Sequence, residues 1–241
     1  MQPTVPLAPH RPRAATDPTA PAARLTGRAF AAVLFDMDGT LVDSTASVVR
    51  CWLRLADEYG VTVEALQAAA GHGRPARDIV ADLLPETDHV AGLARITELE
   101  VADVEGVVAL PGAHDALART AGRSAIVTSC TGPLALARQR AAGVVVPDVV
   151  VTADDVRHGK PHPEPFLTGA ARLGVDPSRC LVVEDAPAGL AAARAAGMAT
   201  LAVTTTHEAD ELHADLVVPD LSYVTWLDAE DGVVPGVRPS A

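Results

Sequence analysis

Six short runs built almost wholly from aliphatic and β-branched residues constrain this fold more than any other feature. They occupy residues 31–35, 124–128, 148–151, 180–183, 200–203 and 215–218, and each is followed by a helical pattern. A run that is apolar at every position has no polar side to offer water, so it suits a strand covered on both faces, as in a parallel sheet. Strands that alternate with helices predict an α/β doubly wound fold. Hydrophobic residues make up 49% of the 241, enough for such a core, but aromatics are only 3%, so Ala, Val and Leu must fill it.

The interval between the first two runs differs. From Ser44 to about Glu105 there are helical signals and no good strand. Val48, Trp52, Leu55 and Tyr59 recur at three- and four-residue spacing and share one helix face, with Gly60 placed to end that helix. Further helices are expected over 63–70, 77–84 and 90–101. Such a block, inserted just after the first strand, predicts a helical cap that can close over a site; an ordinary elaboration of the core would show the same periodicity.

Polar residues at the ends of the apolar runs carry the chemistry. Asp36-Met37-Asp38-Gly39 follows the first run directly. Two carboxylates one residue apart at the end of a buried strand repel each other and lose solvation, which raises the pKa of at least one. The arrangement makes sense if a divalent cation absorbs the charge and the two acids do different jobs. Thr128 ends the second run and is followed by Ser129-Cys130-Thr131-Gly132, where a hydroxyl and free backbone N–H groups can hold phosphate oxygens. Lys160 stands in His158-Gly159-Lys160-Pro161-His162-Pro163, a stiff, extended segment that fixes where an ammonium points. Glu184-Asp185 ends the fourth run just before an Ala-rich helix. In an open parallel sheet, ligands bind outside the carboxyl ends of the strands. Asp36, Thr128 and Asp185 fall at such ends and Lys160 follows a fourth, so these positions converge on one rim.

The net charge of −12 argues against a nucleic-acid or anionic-membrane surface. It also means that a site for an anion must supply its own positive charge. No apolar run approaches the length needed to span a bilayer. Cys51, Cys130 and Cys180 are widely spaced without a paired motif and are expected as free thiols in a reducing cytoplasm. Residues 1–27, rich in Pro, Ala and Thr, lack the apolar centre of a secretory signal and are expected to be a disordered tail.

Four ordered segments, DMDGTLVDS, IVTSC, HGKPHPEPF and VVEDAPAGLAAARAAGM, resemble the signatures of the haloacid dehalogenase superfamily. The resemblance is to its sugar-phosphatase-like branch, of glycerol-3-phosphatase and 2-deoxyglucose-6-phosphate phosphatase type. It extends over roughly residues 28–226. It implies a Rossmann-like three-layer α/β/α core from 28–44 and 106–228, a small helical cap over 45–105, a tail over 1–27 and a flexible end over 229–241. It further implies a cytoplasmic, magnesium-dependent phosphatase of small phosphorylated metabolites such as sugar or polyol phosphates. Carried onto this chain, Asp36 is the nucleophile that forms an aspartyl-phosphate, and Asp38 is the general acid and base. Mg²⁺ is held by the Asp36 carboxylate, the Asp38 backbone carbonyl and Asp185, while Glu184 orients a metal-bound water. Thr128, the Ser129 N–H and Lys160 bind the phosphoryl oxygens.

Several other patterns lead elsewhere. Gly71-x-Gly73-x-x-Ala76 follows a helical stretch and contains Pro75, so it is no dinucleotide fingerprint. The same segment is expected to form a cap loop from which Arg74 or Arg77 reaches a substrate hydroxyl. His158 and His162 have no further ligand spaced with them. A β-phosphoglucomutase-like mutase shares the expected architecture, but its cap-hinge histidine falls at Val48 here. A phosphonatase needs a cap lysine, and residues 45–105 contain none. The mutase stays as the first alternative, and a phosphate-binding module without turnover is the second.

Overall fold

A computed structural model of the chain describes residues 25, 27–69 and 75–238. In chain order, the elements begin with β1 (Ala32–Phe35) and β2 (Val42–Asp43). Four helices follow, α1 (Thr45–Tyr59), α2 (Val63–Ala69), α3 (Ala76–Leu83) and α4 (His89–Ala102), before β3 (Val108–Ala109) and α5 (Ala113–Arg119). The remainder alternates: β4 (Ser124–Val127), α6 (Gly132–Ala142), β5 (Val149–Val151), α7 (Glu164–Leu173), β6 (Cys180–Glu184), α8 (Pro187–Ala195), β7 (Ala199–Val203) and β8 (Leu216–Val218). A final pair, β9 (Val224–Ala229) and β10 (Gly232–Val237), ends the described chain.

Every one of the six apolar runs is a strand, and together they form one parallel sheet in the order β5-β4-β1-β6-β7-β8. Their alternating side chains make two cores. Val33, Phe35, Ile126, Leu181 and Leu201 face one side, packed with Ala113 and Leu117 of α5 and with the C-terminal pair. Ala32, Leu34, Ala125, Val127 and Val182 face the other, packed with Phe166 of α7 and Ala192 of α8. The fit is close: a Cβ on Gly169 of α7 would lie 2.9 Å from Leu34 Cδ2. This is the Rossmann-like three-layer α/β/α arrangement. Strand order reverses at β1, which has β4 on one flank and β6 on the other, so the crevice expected for a ligand opens beside the end of β1.

Helices α1–α4 enclose a separate apolar cluster that includes Trp52, Leu55, Leu66, Val80 and Ile96. Gly60 ends α1 in the left-handed conformation (φ 67°), where its N–H meets the Ala56 and Asp57 carbonyls. The chain leaves the core and returns to it through the two-residue antiparallel pair of β2 and β3, which the sequence reading missed. Ser47 Oγ donates to the Asp103 carbonyl at 2.6 Å and Arg50 clasps the Asp103 carboxylate at 2.7 and 2.8 Å, fastening α1 to the end of α4.

The expected disordered tail over 1–27 lies outside the described residues apart from Leu25, which is buried within the core, and Gly27. The flexible end over 229–241 is instead structured as far as Arg238: β10 pairs antiparallel with β9, and Phe30 and Val233 exchange N–H···O bonds of 2.9 and 2.8 Å. The physical reason is apolar. Val233 and Trp226 are buried beneath β1, and Gly232 (φ 149°) lets the hairpin approach so closely that a Cβ there would lie 1.9 Å from the Phe30 oxygen. Among the described residues, no helix is long and apolar enough to cross a membrane.

Candidate active site

The carboxyl ends of the sheet strands bring the expected residues together. Asp36 follows β1 and is held there by its N–H bond to the Val183 carbonyl, 2.9 Å. Glu184 ends β6, Asp185 follows it, and Lys160 arrives on the loop between β5 and α7; all four side chains are buried. Lys160 Nζ donates to Asp36 Oδ1 at 2.5 Å, Glu184 Oε1 at 2.7 Å and the Val127 carbonyl at 2.9 Å, and lies 5.0 Å from the Phe166 ring centre. A single ammonium thus joins carboxylates from the ends of two neighbouring strands. Glu184 Oε2 accepts the N–H groups of Asp185 and Ala186, both at 2.9 Å, at the start of α8. Thr40 Oγ1 donates to Asp185 Oδ1 at 3.2 Å, and Thr206 Oγ1 donates to Asp185 Oδ2.

One ligand oxygen from each of Asp36, Glu184 and Asp185 lies within 4.8 Å of the others. Three buried carboxylates against one lysine leave an excess of negative charge. Burial pushes Asp36 up to about 7, with Lys160 opposing and Glu184 adding to the rise. Burial also raises Asp185 well above the ordinary carboxylate range, followed by repulsion from Glu184 and Asp36. Lys160 moves the other way from an isolated buried lysine: burial would lower it, but Asp36 and Glu184 outweigh that and raise it. A set of oxygen donors held together against their own repulsion fits a hard divalent cation. Glu184, expected to orient a metal-bound water, has its carboxylate in this group and also anchors the lysine.

Asp38 sits to one side. Its Oδ1 accepts from Ser44 Oγ at 2.6 Å and faces Arg138 Nη1 at 2.9 Å, and its Oδ2 accepts from the Cys130 thiol at 3.0 Å. Burial, then Asp38, pushes the Cys130 thiol well up, so it remains protonated and donates. Ser44 holds the N-cap position of α1 but makes no capping bond; its hydroxyl is spent on Asp38. Thr128 is buried at the end of β4 and its Oγ1 accepts the Cys130 N–H at 3.1 Å, while Ser129 is exposed at the same rim.

Arg74 lies outside the described residues. Arg77, at the start of α3, is 59% exposed in its side chain and faces Asp78 at 3.4 Å. The expectation that His158 and His162 have no companion ligand is corrected: Glu164 joins them within 4.8 Å in space. That carboxylate already accepts the N–H groups of Arg157 and His158 at 2.9 and 3.1 Å, and so holds the loop that presents Lys160. Sequence reasoning missed Thr206, Arg138 and also Glu100, whose Oε1 lies 3.2 Å from Arg138 Nη2. Only Thr40, inside the DMDGTLVDS segment, carried a signal that could have found it.

A family model of haloacid dehalogenase-like hydrolases matches residues 30–197. Hexitol phosphatase A of Escherichia coli is 40% identical over 208 residues, covering 83% of this chain and 96% of that one. Validoxylamine A 7'-phosphate phosphatase of Streptomyces hygroscopicus subsp. limoneus is 37% identical over 212 residues, covering 82% and 97% respectively. Among solved structures, a hydrolase from Pseudomonas syringae superposes with a TM-score of 0.69 at 25% identity, over 79% of this chain and 94% of that one.

Proposed function

The chain belongs to the haloacid dehalogenase-like hydrolases and is a phosphoric monoester hydrolase, and on that premise we propose that it acts on small sugar or polyol phosphates with Asp36 as its nucleophile. The observation that carries this reading is the buried group of Asp36, Lys160, Glu184 and Asp185 at the switch point of the sheet.

Asp36 Oδ attacks phosphorus, the bond from phosphorus to the ester oxygen breaks, and Asp38 donates its proton to the departing alkoxide. Asp38 then takes a proton from water, whose oxygen attacks the same phosphorus. The bond to Asp36 breaks and inorganic phosphate leaves. Lys160, Thr128 and the Ser129 N–H balance the charge spread over the phosphoryl oxygens in both steps. Asp36, the Asp38 backbone carbonyl and Asp185 would hold Mg²⁺, and Glu184 beside them would orient water near the ion. When bound, that ion supplies the positive charge that a chain of net charge −12 otherwise lacks at the site. Helices α1–α4 act as a cap over this rim, from which Arg77 at the start of α3 meets a substrate hydroxyl. The relatives' names point to a hexitol-like or related phosphate as the physiological ester.

The test is release of phosphate from a panel of ~50–100 esters, ranked by kcat/KM, and p-nitrophenyl phosphate turnover with Mg²⁺ or EDTA. Asp36→Asn should abolish turnover in a folded protein; near-normal activity in that variant overturns the nucleophile assignment.

A further inference from the structure

Arg138 lies in the middle of α6 and only 4% of it is exposed. Its Nη1 lies 2.9 Å from Asp38 Oδ1 and 3.2 Å from Cys130 Sγ, and its Nη2 lies 3.2 Å from Glu100 Oε1. Glu100 is itself buried and sits on α4, so one guanidinium joins a core helix, the helical block and the carboxylate next to the phosphate site. Buried ion networks are weak sources of stability compared with apolar packing of the same volume. What a planar guanidinium does supply is direction, because its donors are fixed in one fork. The other two donors to Asp38 are a rotatable hydroxyl and a thiol, neither of which fixes direction so well.

We propose that Arg138 is a positioning residue that aims the Asp38 carboxylate at the phosphate site and, through Glu100, ties that aim to the placement of α4. This rests on Asp38 being the general acid and base. Proton delivery matters most for an alkoxide leaving group and little for p-nitrophenolate, and kcat/KM reports the phosphoryl-transfer half-reaction. The experiment therefore compares glycerol 3-phosphate or sorbitol 6-phosphate, whichever the wild type cleaves faster, with p-nitrophenyl phosphate.

Arg138→Met should lower kcat/KM on the alkyl ester at least ~10-fold more than on the aryl ester. In an Asp38→Asn background, the same substitution should cost less than about 2-fold further, because it acts through Asp38. Glu100→Gln should shift the ratio of the two esters in the same direction by a smaller factor. The double variant Arg138→Met/Glu100→Leu removes both buried charges and should show the Arg138→Met discrimination with a thermal melt near wild type, which covers failure of the single variant to fold. Equal loss on both esters, no loss, or full loss in the Asp38→Asn background overturns the role of Arg138. An unaltered ratio in Glu100→Gln overturns the link to α4. If Asp38→Asn alone keeps alkyl-ester turnover, the acid–base reading falls instead, and the two failures are told apart.

Discussion

Replacing Asp36 by Asn should make the cation-free protein more stable while it abolishes turnover. Burial lifts Asp36 from its ordinary 3.8 to about 7 in the folded state. A group whose folded-state value is raised contributes its full stability below the unfolded value and loses it as pH climbs through the folded value. The loss therefore accrues between about pH 4 and pH 7 and is complete at pH 8. At roughly 1.4 kcal/mol for each tenfold in proton affinity, ionising Asp36 opposes folding by at most roughly 4 kcal/mol. Asn mimics the neutral acid, but its amide meets Lys160 less well than a carboxyl oxygen does, so we expect a net gain of ~2 kcal/mol, or roughly 4–8 °C in Tm. The assay is thermal unfolding by circular dichroism in EDTA at pH 8, repeated down to pH 5.5, where only about half of the ionisation penalty has accrued and the net gain should nearly vanish. Millimolar Mg²⁺ at pH 8 should raise the wild-type Tm and leave the variant nearly unmoved. An Asp36→Asn protein less stable than wild type in EDTA at pH 8, or a gain that does not shrink as the pH falls, refutes the reasoning.

Three further perturbations probe the same architecture. Lys160→Met strands Asp36 and Glu184 without their shared ammonium, so we expect no measurable turnover and a loss of about 3–5 kcal/mol in urea unfolding at pH 8. Gly189→Ala places a Cβ 1.7 Å from Glu184 Oε1, which must expel that carboxylate; turnover should fall more than ~100-fold, with a lowered Tm. Truncation after Asp231 removes β10 and the Val233 bonds to Phe30, and should cost roughly 3 kcal/mol, read by denaturant melts.

The sheet was legible because its strands are short, uninterrupted apolar runs; only the bounds moved by a residue or so, as with 148–151 becoming Val149–Val151. The convergence of Asp36, Lys160 and Asp185 was legible for the same reason, since topology alone places strand ends on one rim. The C-terminal hairpin was not. Gly232, Pro235 and Gly236 break its pattern, and its register depends on a contact with Phe30 some two hundred residues earlier. Arg138 was hidden for a related reason. In the helix GPLALARQRAA, Arg138 and Arg140 look alike, yet Arg138 is buried and Arg140 is exposed, a difference set by what α6 packs against and not by its own periodicity.

The separation of the apolar interior into a sheet core and a helical-block core leaves one indole in each. Trp226 stacks edge-on at 5.7 Å against Phe35, the residue just before Asp36, and Trp52 belongs to the cluster of α1–α4. Intrinsic fluorescence of this chain is therefore two signals from two places. A Trp52→Phe protein reports optically on the sheet core alone and a Trp226→Phe protein on the helical block alone. Each half of the molecule can thus be watched melting, or shifting when a phosphate ester arrives, without an added dye.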